Sequence, residues 1–310
     1  MSAGGLIARQ SIRLVLRENT VALMAGLFVV MVLISAWLGW QATATVNRIY
    51  LDAAAFLSVA GNPVPGNPVL DTSPLTLMRN VPIYVSLIGA LVAIVIANRL
   101  VALDRRAGVL PLIGSRPVES YHYATGKIAA LCAVVTGLML VALAVSVATL
   151  FLLPAIAVTG AEWLGLLTFY AVSLGYVLIF GLTAMASAAW ARTESVGLLV
   201  PVTVWLAVTF IMPAMTSNLT PTATLNPISA LATPPDTGFF NWTAWLFGPL
   251  SPAEAYGAIA AKLLGYLPQA WQSRSLVPAL PTLALILCAG FGLAALALAA
   301  LAKDGTDYDG

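Results

Sequence analysis

Six stretches of this chain are almost wholly apolar for twenty residues or more, near 21–40, 81–102, 128–153, 164–189, 196–215 and 277–301. A helix of about 20 residues crosses the ~30 Å hydrocarbon core of a bilayer. In lipid every backbone N–H and C=O must be satisfied inside the segment, so such runs are expected to be helices. The stretches 128–153 and 164–189 hold no charged residue, and the short link between them carries Glu162. The expectation is an all-α polytopic membrane protein with six transmembrane helices, its 310 residues forming one transmembrane domain.

Composition closes the alternatives. Apolar residues make up 60% of the chain and charged residues 8%, where a soluble globule carries charge at about a quarter of its positions. Too little polar surface exists to cover a water-facing body. The net charge of +2 leaves no basic surface for nucleic acid. Cys132 and Cys288 lie inside apolar runs, and the single histidine is His122, so neither a disulfide framework nor a metal site is expected. The first run follows arginines as a signal peptide does, but it is too long for a signal h-region and reads as a retained helix.

Basic residues then orient the bundle. Arg9, Arg13, Arg17, Arg99, Arg105, Arg106, Arg116, Lys127, Arg192 and Lys303 fall on one side of the expected spans, while the other side holds only Arg48, Arg79, Lys262 and Arg274. Positive residues stay inside, so both termini are expected in the cytoplasm.

Several landmarks stand outside the spans. Arg9, Arg13 and Arg17 recur every fourth residue, with Ile7, Ile12, Leu14, Val15 and Leu16 over the rest of the circumference. That spacing predicts a helix over 1–19 lying in the interface, its arginines toward lipid phosphates. The segment 98–127 is the most polar of the chain. Pro111 and Pro117 break helix, and Pro117-Val-Glu119 can restart one. It reads as a short cytoplasmic helix, a turn, and a helix leading into span three. Thirty residues exceed what a connection needs, and their alternating charges resemble a docking surface.

On the outer side, the first part of 41–77 extends span one through Arg48 and Asp52 at i, i+4 spacing. The second outer segment, 216–276, gathers Phe239, Phe240, Trp242, Trp245 and Phe247, as aromatics gather at headgroup level. Ser251-Pro-Ala-Glu254 has the form of a capping box and predicts a short helix to about Tyr266, re-entrant or flat on the outer surface.

Catalytic signatures are missing from the sequence. Thr125-Gly126-Lys127-Ile128 lacks the upstream glycine and the hydroxyl of a P-loop. No acid, base or histidine sits near the middle of a span, where an ion-coupled transporter needs one. Tyr121, His122 and Tyr123 form the one cluster a membrane-embedded enzyme could use, with no nucleophile beside it. An ATP-independent transporter would show an inverted repeat with broken helices, and the sequence has no clear internal repeat.

The order of these landmarks resembles the permease subunits of ABC-2 type ABC transporters. Those have a cytoplasmic elbow helix, six spans, a coupling loop between spans two and three, and outer re-entrant helices before span six. Their loop typically reads as an acidic stretch, Glu-x-x-x-Gly-Thr-Leu, Pro, and a Gly-Lys entering span three. Here Asp104-Arg105-Arg106-Ala-Gly108-Val-Leu110-Pro111, then Arg116-Pro117, then Gly126-Lys127 stand in those places. Val109 replaces the threonine, and Arg105-Arg106 replace acidic residues. Thr193-Glu194-Ser-Val-Gly197 and Asn226-Pro227 are similar to the group that includes the nitrous-oxide reductase maturation permease.

The resemblance implies a multi-pass protein of the bacterial inner membrane, with no catalytic, cofactor or metal site in this chain. Two cognate ATPase subunits, carrying ATP and Mg, would dock on Asp104, Arg105, Arg106, Gly108, Leu110, Pro111, Arg116, Pro117, Arg192 and Glu194. The elbow arginines Arg9, Arg13 and Arg17 would flank that surface. A second permease chain, identical or related, would complete the path, and a periplasmic or accessory protein is a further partner.

Overall fold

The computed structural model describes residues 3–67, 69, 72–108, 119–152, 158–218, 236–266 and 279–304. Among them there is no strand, and six helices are long and apolar enough to cross a membrane. The chain is an all-α polytopic membrane protein.

Helix α1, Ala3–Leu16, precedes the spans. It buries Ser11 and Val15 and partly buries Ile7 and Ile12, whereas Leu6, Leu14 and Leu16 stay exposed. Three of the five apolar residues around the arginine stripe, Ile7, Ile12 and Val15, therefore cover protein. A Cβ on Gly126, in the first turns of span three, would lie 2.8 Å from the Gly4 carbonyl oxygen, so glycine permits this close approach.

Span one, α2, runs Asn19–Val59. Its 41 residues reach roughly 60 Å at about 1.5 Å per residue, twice the thickness of the hydrocarbon core. The extension past the expected span thus goes beyond Asp52. Nothing in 41–59 breaks helix, and the chain turns only at Gly61, whose φ is +70°. The returning segment holds the extension: Tyr50 donates to the Pro65 carbonyl at 2.9 Å, and Asn67 Nδ2 to Asn47 Oδ1 at 2.9 Å.

Span two, α3, occupies Pro74–Arg106. It opens as a 3₁₀ turn, Pro74–Met78, capped by Ser73, and contains a π turn at Val85–Gly89. The Ser86 carbonyl in that turn accepts from the Trp205 indole at 2.9 Å, the kind of outside partner a widened turn requires. The helix then runs unbroken from Ala90 to Arg106, ending where Gly108 takes φ +61°. Residues 98–106 are therefore the end of span two, not a separate cytoplasmic helix, because no breaker intervenes before Gly108.

Spans three to five are α4, Ser120–Leu152, α5, Gly160–Trp190, and α6, Glu194–Ser217. A complete capping box of Thr159 and Glu162 starts α5. Two short helices follow, α7, Gly238–Phe247, and α8, Pro252–Leu263, before span six, α9, Ala279–Asp304. Spans α3 and α5 form the centre: 56% of each apolar window is buried, against 22–28% for the other four. The remaining apolar surface faces outward, as a lipid-solvated bundle requires.

Candidate functional site: a four-helix junction at the arginine-rich end

The last turn of α3 ends in three consecutive charges, Asp104, Arg105 and Arg106. Successive helical residues point about 100° apart, so three in a row are aimed at three different neighbours. Each finds one.

Asp104 turns inward to α4. Lys127 Nζ lies 2.6 Å from Asp104 Oδ2 and donates to the Leu100 carbonyl at 2.7 Å. Tyr123 donates its hydroxyl to the same carboxylate at 3.0 Å. All three side chains are buried, Lys127 to 2% exposure. Tyr123 and Lys127, at i and i+4, share the buried stripe of α4 with Ala130 and Leu131.

Arg105 reaches the end of α5. Its guanidinium donates to the carbonyls of Ala191 and, at 2.7 Å, Ala189. These are among the last carbonyls of a helix, which lack partners within it and carry its negative dipole end, so an arginine is the complementary cap.

Arg106 grips the start of α6. Its guanidinium donates through Nε to Glu194 Oε1 at 2.7 Å and pairs through Nη2 with Oε2. Glu194 sits in the first turn of α6, behind the Thr193 cap, where a negative charge also meets the positive dipole end. Gly197 follows one turn later and lets α6 close on α5 and α3. A Cβ there would lie 3.1 Å from Ala188 Cα and 3.3 Å from the buried, unpaired Nδ2 of Asn98.

The three ties differ in strength. Removing one partner of a buried ion pair costs about 3–5 kcal/mol, and a hydrogen bond to a charged group contributes ~1.5–3 kcal/mol. The Arg106–Glu194 side chains are 59% and 35% exposed, and solvent screening leaves such a pair a small contribution. Through these side chains α3 is tied firmly to α4 and α5 and weakly to α6.

Of the residues expected to dock a partner, Asp104, Arg105, Arg106 and Glu194 come together here. Gly108 ends the turn, and Arg192 lies in the α5–α6 link. Leu110, Pro111, Arg116 and Pro117 fall outside the described residues, and Arg9, Arg13 and Arg17 lie on α1. Lys127 was legible only as the end of a loop. Its i+4 relation to Tyr123, continued by apolar Ala130 and Leu131, is the signal that places it inside.

The opposite end carries a second polar layer. Tyr256 of α8 is buried and stacks on Tyr176 of α5 at 4.4 Å between ring centroids, and its hydroxyl lies 2.9 Å from Ser173 Oγ. Tyr170 meets Ser146 of α4 at 2.6 Å. Tyr170, Ser173 and Tyr176 recur every third residue, and polar side chains on one stripe of a membrane helix mark its protein-facing side. The aromatic helix α7 leaves Phe239, Trp242 and Trp245 exposed while burying Thr243, which donates to the Met215 carbonyl at 2.6 Å.

The capping box expected for α8 forms by half. Ser251 Oγ accepts from the Glu254 N–H at 3.3 Å, but the Glu254 carboxylate turns away to the hydroxyls of Thr216 and Ser217 at the end of α6. The helix stops at Leu263, short of Tyr266, and Gly265 takes φ +72°.

Burial raises the Glu254 carboxyl above its ordinary value of 4.5, an effect the two hydroxyls offset in part. A raised carboxyl binds its proton more tightly in the folded state, so the hold of α6 on α8 is strongest at low pH. It weakens as pH rises from the ordinary value through the raised one. Hydrogen exchange over 252–263 should therefore quicken from acidic to neutral pH, after correction for intrinsic rates. Glu254→Gln keeps an acceptor without the ionisation, and its opening free energy should not vary with pH. An equal pH response in both proteins would remove Glu254 as the cause.

No protein-family model matches the chain, and no curated protein matches it in sequence.

Proposed function

We propose that the chain is the permease subunit of an ATP-driven transporter of the ABC-2 type, working in the bacterial inner membrane. The observation that supports this best is the junction at the end of α3. Asp104, Arg105 and Arg106 stand directly before the segment 107–119, and each is tied to a different span. A load delivered to that segment passes to α4, α5 and α6 together. This is what a subunit needs when its energy arrives from outside the membrane.

In this reading two ATPase subunits, carrying ATP and Mg, dock beneath a pair of permease chains. The segment 98–127 and the α5–α6 link at Arg192 and Glu194 form the docking face, with α1 flanking it. The permease itself carries out no catalysis. Closure of the ATPases strains the junction, and the weak Arg106–Glu194 tie lets α6 move against α3. The outer layer of α7 and α8, joined to α6 through Thr216, Ser217 and Thr243, responds at the far side.

The test uses the chain together with a cognate ATPase. The purified chain alone should not hydrolyse ATP, and the complex should. Arg106→Glu sets two carboxylates face to face at an exposed position, where solvent screens them, so folding should change little. Assembly yield, or the stimulation of hydrolysis by the permease, should fall several-fold. Hydrolysis by the chain alone would overturn the reading, and unchanged yield and stimulation would remove the docking face.

A further inference from the structure

The arginine stripe of α1 does not take part in the junction. Arg9, Arg13 and Arg17 are all exposed, and among the described residues none of them makes an ion pair. Ser11 and Val15 are buried and Gly4 rests against Gly126, so α1 is fixed in rotation and the stripe is turned away from α4. Leu6, Arg9, Gln10, Arg13, Leu14 and Arg17 lie along one open face of α1.

Two features identify what this face takes. Leu6 and Leu14, within it, are 54% and 42% exposed. Leucines left bare beside guanidinium groups suit a ligand with an anionic end and an apolar body, not a soluble anion. The stripe also ends two residues before α2, whose lipid-facing surface begins at Leu23. The arginines therefore lie at the level of the headgroups, with the leucines beside them.

We propose that α1 is a binding site for an anionic phospholipid of the adjoining leaflet, its phosphate held by Arg9, Arg13 and Arg17 and its acyl chains lying along Leu6 and Leu14. The selection is for net charge. A zwitterionic lipid carries the same phosphate but adds an ammonium that three guanidinium groups repel. Occupancy bears on the junction, because α1 presses on Gly126, the residue before Lys127. This site does not depend on the transport reading.

The test is native mass spectrometry of the full chain in neutral detergent, titrated with phosphatidylglycerol or phosphatidylcholine. Each basic residue at an anionic headgroup is worth about fivefold in affinity, so R9Q/R13Q/R17Q should bind phosphatidylglycerol on the order of a hundredfold more weakly. Phosphatidylcholine should bind weakly to both proteins. R9K/R13K/R17K should keep most of the binding, and single Gln variants, each down about fivefold, serve if the triple variant does not fold. Inorganic phosphate in millimolar excess should not displace the lipid. Equal binding of the two lipids, unaltered binding by the Gln variants, or full displacement by phosphate would each overturn the proposal. So would a stripe that retains a cognate ATPase but not lipid, which would make it a protein contact.

Discussion

Lys127→Met is expected to destabilise the protein by about 3–5 kcal/mol, because it strands the Asp104 carboxylate in a buried site with only the Tyr123 hydroxyl beside it. The Leu100 carbonyl loses its donor as well. Thermal unfolding in detergent, followed by tryptophan emission, should register this as a large fall in Tm. Adding Asp104→Leu to Lys127→Met removes the stranded charge and should recover most of the loss, since apolar replacement of a whole buried pair is often neutral. Arg106→Gln, at the exposed and screened pair, sets the scale from below with a small loss. If Lys127→Met costs no more than Arg106→Gln, or if the double variant is worse than the single, the buried pair is not what binds α3 to α4.

The second large effect is steric. A Cβ on Gly39 would lie 2.1 Å from the Leu77 carbonyl oxygen and 2.9 Å from its carbon. Both obstacles are backbone, so no side chain can swing aside. Gly39→Leu must push the 3₁₀ turn Pro74–Met78 off α2. Overpacking of this kind costs about 1–3 kcal/mol and sometimes more, and a backbone obstacle belongs at the upper end. Gly26, in the same helix, meets nothing within 4 Å. Gly26→Ala should therefore be neutral or gain up to ~1 kcal/mol of helix propensity. Equal Tm values for Gly39→Leu and Gly26→Ala would show that the turn does not press on α2.

The spans were legible because lipid imposes a single long-wavelength requirement, a run of apolar residues, and each run is continuous. Their lengths were less so. Hydropathy ends near Trp40 while helix continues to Val59, because the alanines of the extension favour helix and no glycine or proline stops it before Gly61. The same cause carried α3 on to Arg106. Charged residues at 104–106 were visible as a group, but not their separate partners. Asp104 finds Lys127, and Arg106 finds Glu194, only once four helices have packed. Gly39 gave no signal at all, since nothing in a lone helix distinguishes a glycine touched by backbone from one that is not. The outer capping box was half right, because the sequence shows that Glu254 can reach back to Ser251 but not that two hydroxyls of α6 compete for it.

The partners of Asp104, Arg105 and Arg106 are allotted by rotation alone, and this makes the last turn of α3 sensitive to counting. One residue inserted after Leu103 would turn the triad by about 100°. The carboxylate would then face the carbonyl oxygens of Ala189 and Ala191, Arg105 would arrive opposite Glu194, and Lys127 would meet whatever had been inserted. Composition would be almost untouched, yet every charge would stand at its neighbour's address. Between the π turn at Val85–Gly89 and Gly108, descent can trade one side chain for a similar one far more readily than it can add or drop a residue.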